Sequence, residues 1–214
     1  DMDWKKYSVC AGVFSVLSLF VLWAILCFQK FLPLNPEGIE GTSWHLGFNT
    51  AASFTTNTNW QAYSGESTLS YFSQMLGLNF QNFVSAAIGI AVLFALMRGF
   101  VRVKKTGIGN FYTDMTKTVL YILIPLSMVV SLTIASQGVP QTFKQYDEVQ
   151  LLEPVVVENE DGTATEVTKA VVPLGPGASQ IAIKQLGTNG GGFWGNNSAH
   201  PFENPTPLSN LFEM

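Results

Sequence analysis

Apolar residues fall in three long runs, separated by stretches in which polar and apolar positions mix. The first run extends from Tyr7 to Gln29, with no charge between Lys6 and Lys30. The second covers 76–97; Asn79, Gln81 and Asn82 dilute its start, and it is continuously apolar-leaning from Phe83 to Met97. The third covers 118–137 and carries Pro125, which a membrane helix tolerates as a kink. Crossing about 30 Å of hydrocarbon takes about 20 helical residues, so each run predicts a membrane span. The first is too long for a cleaved signal peptide and has no small-residue cleavage site before Lys30.

Two shorter segments repeat a plan. Residues 43–54 lean apolar but are too short to span, which predicts a re-entrant helix with Thr42 or Ser43 as its cap. A polar run, Thr55-Thr56-Asn57-Thr58-Asn59-Trp60, follows it. Residues 179–187 predict a second short helix, followed by Thr188-Asn189-Gly190-Gly191-Gly192-Phe193, and Leu208 onward predicts the start of another span. Both polar runs end on an aromatic residue. Each reads as an extended strand returning from partway into the bilayer, where non-helical backbone is tolerated only if buried in protein or lining a water-filled path. The fold expected is therefore an all-α polytopic membrane protein built of helix, pore helix, strand and helix. One module occupies 1–117 and an incomplete second occupies 118–214. Within the second module, after its first span, an external insertion at 138–178 is rich in Val, Thr and acids. Val155 to Val157 and Thr165 to Val172 flank Asp161-Gly162, which predicts a β-hairpin.

Composition agrees with a membrane protein carrying aqueous loops: charged residues are 12% of the chain, against about 25% in soluble domains. Lys5, Lys6, Arg98, Arg102, Lys104, Lys105 and Lys117 fall on one side of the predicted spans, which assigns that side to the cytoplasm. There, Arg98, Arg102, Lys104 and Lys105 are available to anionic lipid or a cytoplasmic partner. The strands and the acidic insertion then face outside. Cys10 and Cys27 lie on one predicted helix, too far apart to bond at a rise of about 1.5 Å per residue. The two histidines, His45 and His200, have no neighbouring cysteine and make no transition-metal set. No nucleophile–base or paired-carboxylate arrangement suggests catalysis, and nothing suggests nucleic-acid binding.

The polar runs carry the chemistry. Gly187 and Gly192 match half of a phosphate-binding loop, but Phe193 and Trp194 stand where Lys and Ser or Thr are needed. Pro201, Pro205 and Pro207 prevent a helix from following at once. A flexible loop is the plain alternative, and two placements after short helices argue against it. Uncharged strands offering carbonyl, amide and hydroxyl oxygens suit a dehydrated alkali cation, because a ring of carbonyls replaces the hydration shell without trapping the ion. Gly190 to Gly192 accept the dihedrals that such a ring demands. In the first run Thr and Asn must do so, with side chains bonded to hold the strand. Glu203 reads as packing or solvent contact ahead of facing the ion path.

Ser53-Phe54-Thr55-Thr56-Asn57-Thr58-Asn59-Trp60-Gln61-Ala62-Tyr63-Ser64-Gly65-Glu66 resembles the first filter loop of the KdpA family, the potassium-binding subunits of bacterial potassium-transporting ATPases. Gly187 to Phe193, continuing through Ser198-Ala199-His200-Pro201-Phe202-Glu203-Asn204-Pro205-Thr206, resembles the second. The resemblance implies that Thr56, Asn57, Thr58 and Asn59 line one quarter of a potassium filter, with Gln61 near its entrance. Thr188, Asn189, Gly190, Gly191 and Gly192 would line another quarter. It implies potassium as transported ligand without an organic cofactor, and no catalytic site in this chain. It also implies delivery of the ion to a separate P-type ATPase subunit, KdpB, with KdpC and KdpF as further partners, in the bacterial inner membrane. Family members carry four filter segments, so the chain is expected to be a fragment of a four-repeat subunit. Two other readings stay open: a two-module channel that dimerises, and a non-conducting membrane assembly subunit.

Overall fold

The computed structural model describes residues 1–102, 107–158 and 164–214. Three helical rods dominate it: Trp4–Phe31, Ser73–Val101 and Phe111–Ser136, of 28, 29 and 26 residues. At about 1.5 Å per residue each exceeds the hydrocarbon thickness. All three begin before the apolar runs do, because capped polar turns extend them. Helix α1, Trp4–Phe28, starts where the Asp3 side chain accepts from the Lys6 N–H. The third rod starts with Phe111, behind Asn110 as cap to Thr113. Its halves, α5 (Phe111–Thr118) and α6 (Ile124–Ser136), are joined by a π turn over Val119–Leu123. Pro125 withholds the N–H that the carbonyl one turn earlier would receive, and the widened turn absorbs that loss without breaking the rod.

The second rod opens with a π turn, Ser73–Asn79, and continues as α4, Phe80–Val101. Two short helices pack among the rods. Helix α2, Trp44–Thr55, is capped by Ser43 and lies along α1, burying Ala51 and Phe54 against Leu22 and Leu26. Helix α7, Gly177–Leu186, lies along α6, burying Ala178, Ile181 and Ala182 against Ile134, Phe193 and Trp194. Helix α4 touches both short helices. Helix α3, Gly65–Thr68, is a single turn, and α8 spans Pro207–Glu213 behind a Thr206–Ser209 capping box. On α1, Val9, Val13, Val16, Phe20 and Val21 are exposed, as are Met128, Val129 and Leu132 on α6, leaving apolar faces of the kind a bilayer covers.

One expectation is overturned at the basic end. Arg98 is not available to lipid: it donates two hydrogen bonds to Asp114, at 2.5 and 2.7 Å, and a third to the Ile108 carbonyl. Asp114 is buried and also accepts from the Tyr7 hydroxyl. A bidentate pair of this kind ties the ends of α4 and α5 together with α1. Lys104 and Lys105 lie outside the described residues.

The insertion forms two antiparallel strands, β1 (Asp147–Glu158) and β2 (Ala164–Val172), in register from Asp147↔Val172 to Glu158↔Ala164 with an irregularity between Gln150 and Val155. Its expected Asp161-Gly162 turn lies outside the described residues. The base of the hairpin is gathered at Tyr71, whose hydroxyl is 2.6 Å from the Lys144 carbonyl and 3.0 Å from that of Leu174. Tyr146 adds a bond from its hydroxyl to the Glu66 carbonyl. Among the described residues, the strands bury none of the large core side chains. Replacing 147–172 by a short Gly-Ser linker in the full-length subunit is therefore expected to leave assembly unchanged. The check is complex yield and melting temperature after detergent extraction. Tyr71→Phe, which unties the base, is expected to lower the melting temperature even with the strands intact.

Candidate functional site

The ends of α2 and α7 are built alike, and this sets the geometry of everything after them. Each helix runs out of partners for its last carbonyls, and each closes with the same pair of reverse bonds. At α2 the Asn57 N–H donates to the Phe54 carbonyl and the Thr58 N–H to that of Ser53, at 3.2 and 3.1 Å. At α7 the Thr188 N–H donates to the Gln185 carbonyl and the Asn189 N–H to that of Lys184, at 3.1 and 2.9 Å. This is the Schellman closure, which requires a left-handed residue just past the cap. Asn57 and Thr188 supply it, with φ of 66° and 57°. Two residues further on the left-handed conformation recurs, at Asn59 (58°) and Gly190 (101°).

Matching the caps pairs Asn57 with Thr188, Asn59 with Gly190 and Gln61 with Gly192. Aligning the two polar runs on their terminal aromatics would instead pair Asn57 with Gly190, two positions away. The sequence hides this register because different residues satisfy the same backbone demand. Asn tolerates the left-handed region better than other side chains, and glycine enters it at no steric cost. Thr188 has neither advantage, so its conformation stores strain.

The two strands lie side by side. A Cβ on Gly190 would stand 3.4 Å from the Thr58 carbonyl oxygen, and one on Gly191 would collide with that of Asn59. Exposure alternates along both strands: Thr56, Thr58, Thr188 and Gly190 are exposed, whereas Asn59, Asn189, Gly191 and Gly192 are buried and Asn57 is half-buried. The half-buried Gln61 binds the other strand as a backbone would. Its Nε2 donates to the Gly192 carbonyl at 2.9 Å, and its Oε1 accepts from the Gly192 N–H at 3.1 Å.

Asparagine amides point into the protein rather than toward the open faces. Asn57 Nδ2 donates to the Gly187 carbonyl, and Asn57 Oδ1 accepts from Ser85 Oγ at 2.8 Å and Asn189 Nδ2 at 2.5 Å. Asn59 Nδ2 donates to Asn82 Oδ1 at 2.8 Å. Thr56 turns its hydroxyl back to the Ala52 and Ser53 carbonyls. What remains open is backbone together with the Thr58 and Thr188 side chains. A hollow of about 640 Å³ lies at the far ends of the strands, lined by Asn49, Thr58, Gln61, Gly190, Gly191 and Asn197. A smaller one, about 240 Å³, lies where the strands leave their helices, between Asn57, Gly187, Thr188 and the Ser85–Ile90 stretch of α4.

Asn82 was legible only as a polar residue diluting the start of an apolar span, a signal that marks buried functional positions in membrane helices, and Ser85 passed as part of the apolar-leaning run. Gln74 and Glu66, which bond the Phe193 carbonyl and the Gly195 N–H, had no such signal. His45 stacks on Trp44, and His200 stacks on Trp194 while its Nδ1 accepts from the Phe202 N–H. Burial lowers the His200 pKa, which keeps that ring neutral at pH 7. Among the described residues, no group of three His, Cys, Asp or Glu side chains could hold a metal.

Three apolar rods long enough to cross a membrane, with two short helices packed among them, define a class: mostly helical membrane proteins. The chain belongs to the KdpA family, whose model, described as potassium-transporting ATPase A subunit, matches residues 1–214. It is 71% identical over 214 residues to the potassium-transporting ATPase potassium-binding subunit of Clostridium botulinum (strain Alaska E43 / Type E3), covering 100% of this chain and 36% of that protein. The proteins of the same name from Clostridium perfringens and Desulfovibrio desulfuricans are 64% and 60% identical over the same 214 residues, again 36% of their length. The chain thus spans about a third of the curated relatives it matches.

The left-handed turn predicts a ranking. In the full-length subunit, Asn57→Gly should keep the turn and lose the side-chain bonds. Asn57→Val should lose both, adding about 1–2 kcal/mol of backbone cost. Melting of the purified complex is expected to fall in the order parent, Gly, Val.

Proposed function

We propose that this chain forms two adjacent quarters of a potassium filter in the potassium-binding subunit of an ATP-driven uptake system. The observation that carries the reading is the pair of matched helix ends, which set two uncharged strands side by side with backbone oxygen open to a common space. Potassium sheds water only where several oxygens replace it together, and carbonyl dipoles do so while still letting the ion leave. Each short helix aims its carboxyl end at the strands, adding partial negative charge without a fixed anion. The relatives' name, potassium-binding subunit of a potassium-transporting ATPase, supports the choice of ion.

In this reading Thr56 to Asn59 and Thr188 to Gly192 line the filter, and Gln61 guards its entrance while locking the two strands. The larger hollow is the outer mouth and the smaller one the way in. Repeats outside this chain supply the remaining filter segments. ATP hydrolysis belongs to a separate subunit, KdpB, and KdpC and KdpF complete the assembly. The basic end of the rods faces the cytoplasm of a bacterial inner membrane, with the hairpin outside.

The test is Gly190→Asp in the full-length subunit within the intact complex, read as potassium-stimulated ATPase activity against potassium concentration. At φ of 101° any side chain is strained, and this one also brings a charge into the path. Half-saturating potassium is expected to rise about tenfold or more. An unchanged value would remove the filter reading.

A further inference from the structure

Behind the second strand lies a charged pair that the filter reading leaves unused. Lys184, in the last turn of α7, donates from Nζ to Glu203 Oε1, and both side chains are fully buried. Lys184 is also the residue whose carbonyl accepts the Asn189 N–H in the Schellman closure. Its side chain and main chain thus hold opposite sides of one turn. Burial lowers the Lys184 pKa, so the ammonium stands in a place that disfavours charge.

Glu203 reaches this place from the proline-punctuated loop, where its N–H donates to the His200 carbonyl. Its carboxylate faces Gly192. A Cβ there would lie 2.9 Å from Glu203 Oε2 and 3.0 Å from both Glu203 Oε1 and Asn197 Oδ1. Glu203 Oε2 and Asn197 Oδ1 are buried without hydrogen-bond partners of their own. The strand therefore passes directly over an ion pair, with no side chain between. The position equivalent to Lys184 in the first repeat is Ser53, which has no charge, so of the two strands described only the second lies against such a pair.

We propose that Lys184 and Glu203 are positioning residues for the second filter strand: Glu203 seats the strand at Gly192 and cancels the Lys184 charge, so that the pair sets potassium affinity without touching the ion. The inference rests on the filter reading. A cation lodged beside a cation path repels what should bind there, and a buried pair holds together only while both partners are present. Removing Glu203 alone would leave the ammonium facing the path. Removing both charges would leave an uncharged wall, a change that buried pairs often tolerate.

The experiment compares Glu203→Gln, Lys184→Met and the double variant in the full-length subunit of the intact complex, with Gly190→Asp alongside. Half-saturating potassium for ATPase activity is expected to rise about tenfold or more in Glu203→Gln, and to return within about threefold of the parent when Lys184→Met is added. A double variant as impaired as Glu203→Gln overturns the proposal, because a merely structural role would show no rescue. Unchanged affinity in Glu203→Gln while Gly190→Asp is impaired also overturns it, and leaves the filter reading standing. Unchanged affinity in Gly190→Asp removes both. Where Glu203→Gln does not assemble, the double variant decides alone: assembly with affinity within about threefold of the parent supports the pair's role, and failure to assemble overturns it.

Discussion

A helix that stops inside apolar surroundings leaves carbonyls that no water will satisfy, and the way this chain closes two such helices governs the rest of the site. The Schellman bonds to Ser53 and Phe54, and to Lys184 and Gln185, use main-chain donors from the first residues of each strand. Those donors are then unavailable for any other pairing, and the turn fixes the direction in which the strand departs. The strands thus emerge with their early N–H groups spent, while among the described residues only the Gly192 carbonyl of the two strands is bonded, by Gln61. An excess of acceptors over donors suits the cation path we propose, and it arises from capping a helix rather than from a dedicated cluster of ligands.

Two strands without regular pairing need other means of staying together, and the polar residues of α4 provide one. Ser85 and Asn82 reach the Asn57, Asn59 and Asn189 amides from the middle of a membrane-length rod. Such bonds are strengthened by the low dielectric around them and penalise any conformer that leaves a member unpaired. Gln61 supplies the second link. It occupies the position equivalent to Gly192, and its amide satisfies the donor and acceptor of that same residue. One repeat contributes a side chain where the other contributes bare backbone. A Cβ on Gly192 would press on the Glu203 carboxylate and Asn197 Oδ1, so a second side chain there would need those groups to give way.

Long apolar runs made the rods legible, and length distinguished the two short helices from spans. Their exact starts were not legible, because Asp3 and Asn110 extend helices by capping, a local hydrogen bond that hydropathy does not register. The two strands were located from their polarity, but the register between them was hidden: Asn57, Asn59, Thr188 and Gly190 share one backbone conformation through three residue types. The roles of Asn82 and Ser85 were hidden differently, since a polar residue in a span shows that something binds it without showing what. Arg98 was misread because Asp114 lies 16 positions away, across a turn whose geometry decides whether the two meet.

Charge placement around the strands follows one rule. Among the described residues the buried charged side chains are Asp114, Lys184 and Glu203. Asp114 is matched by Arg98, and Lys184 and Glu203 match each other. No net charge is therefore left inside, although the strands lie against one of these pairs. A fixed carboxylate on the path would hold a dehydrated cation too tightly to release it, and a fixed ammonium would keep it out. The partial charges of two helix ends and the dipoles of unpaired carbonyls attract more weakly and at several points in succession. The filter we propose must bind an ion and still release it, which needs attraction of that graded kind, and neutral walls behind the strands are the condition for it.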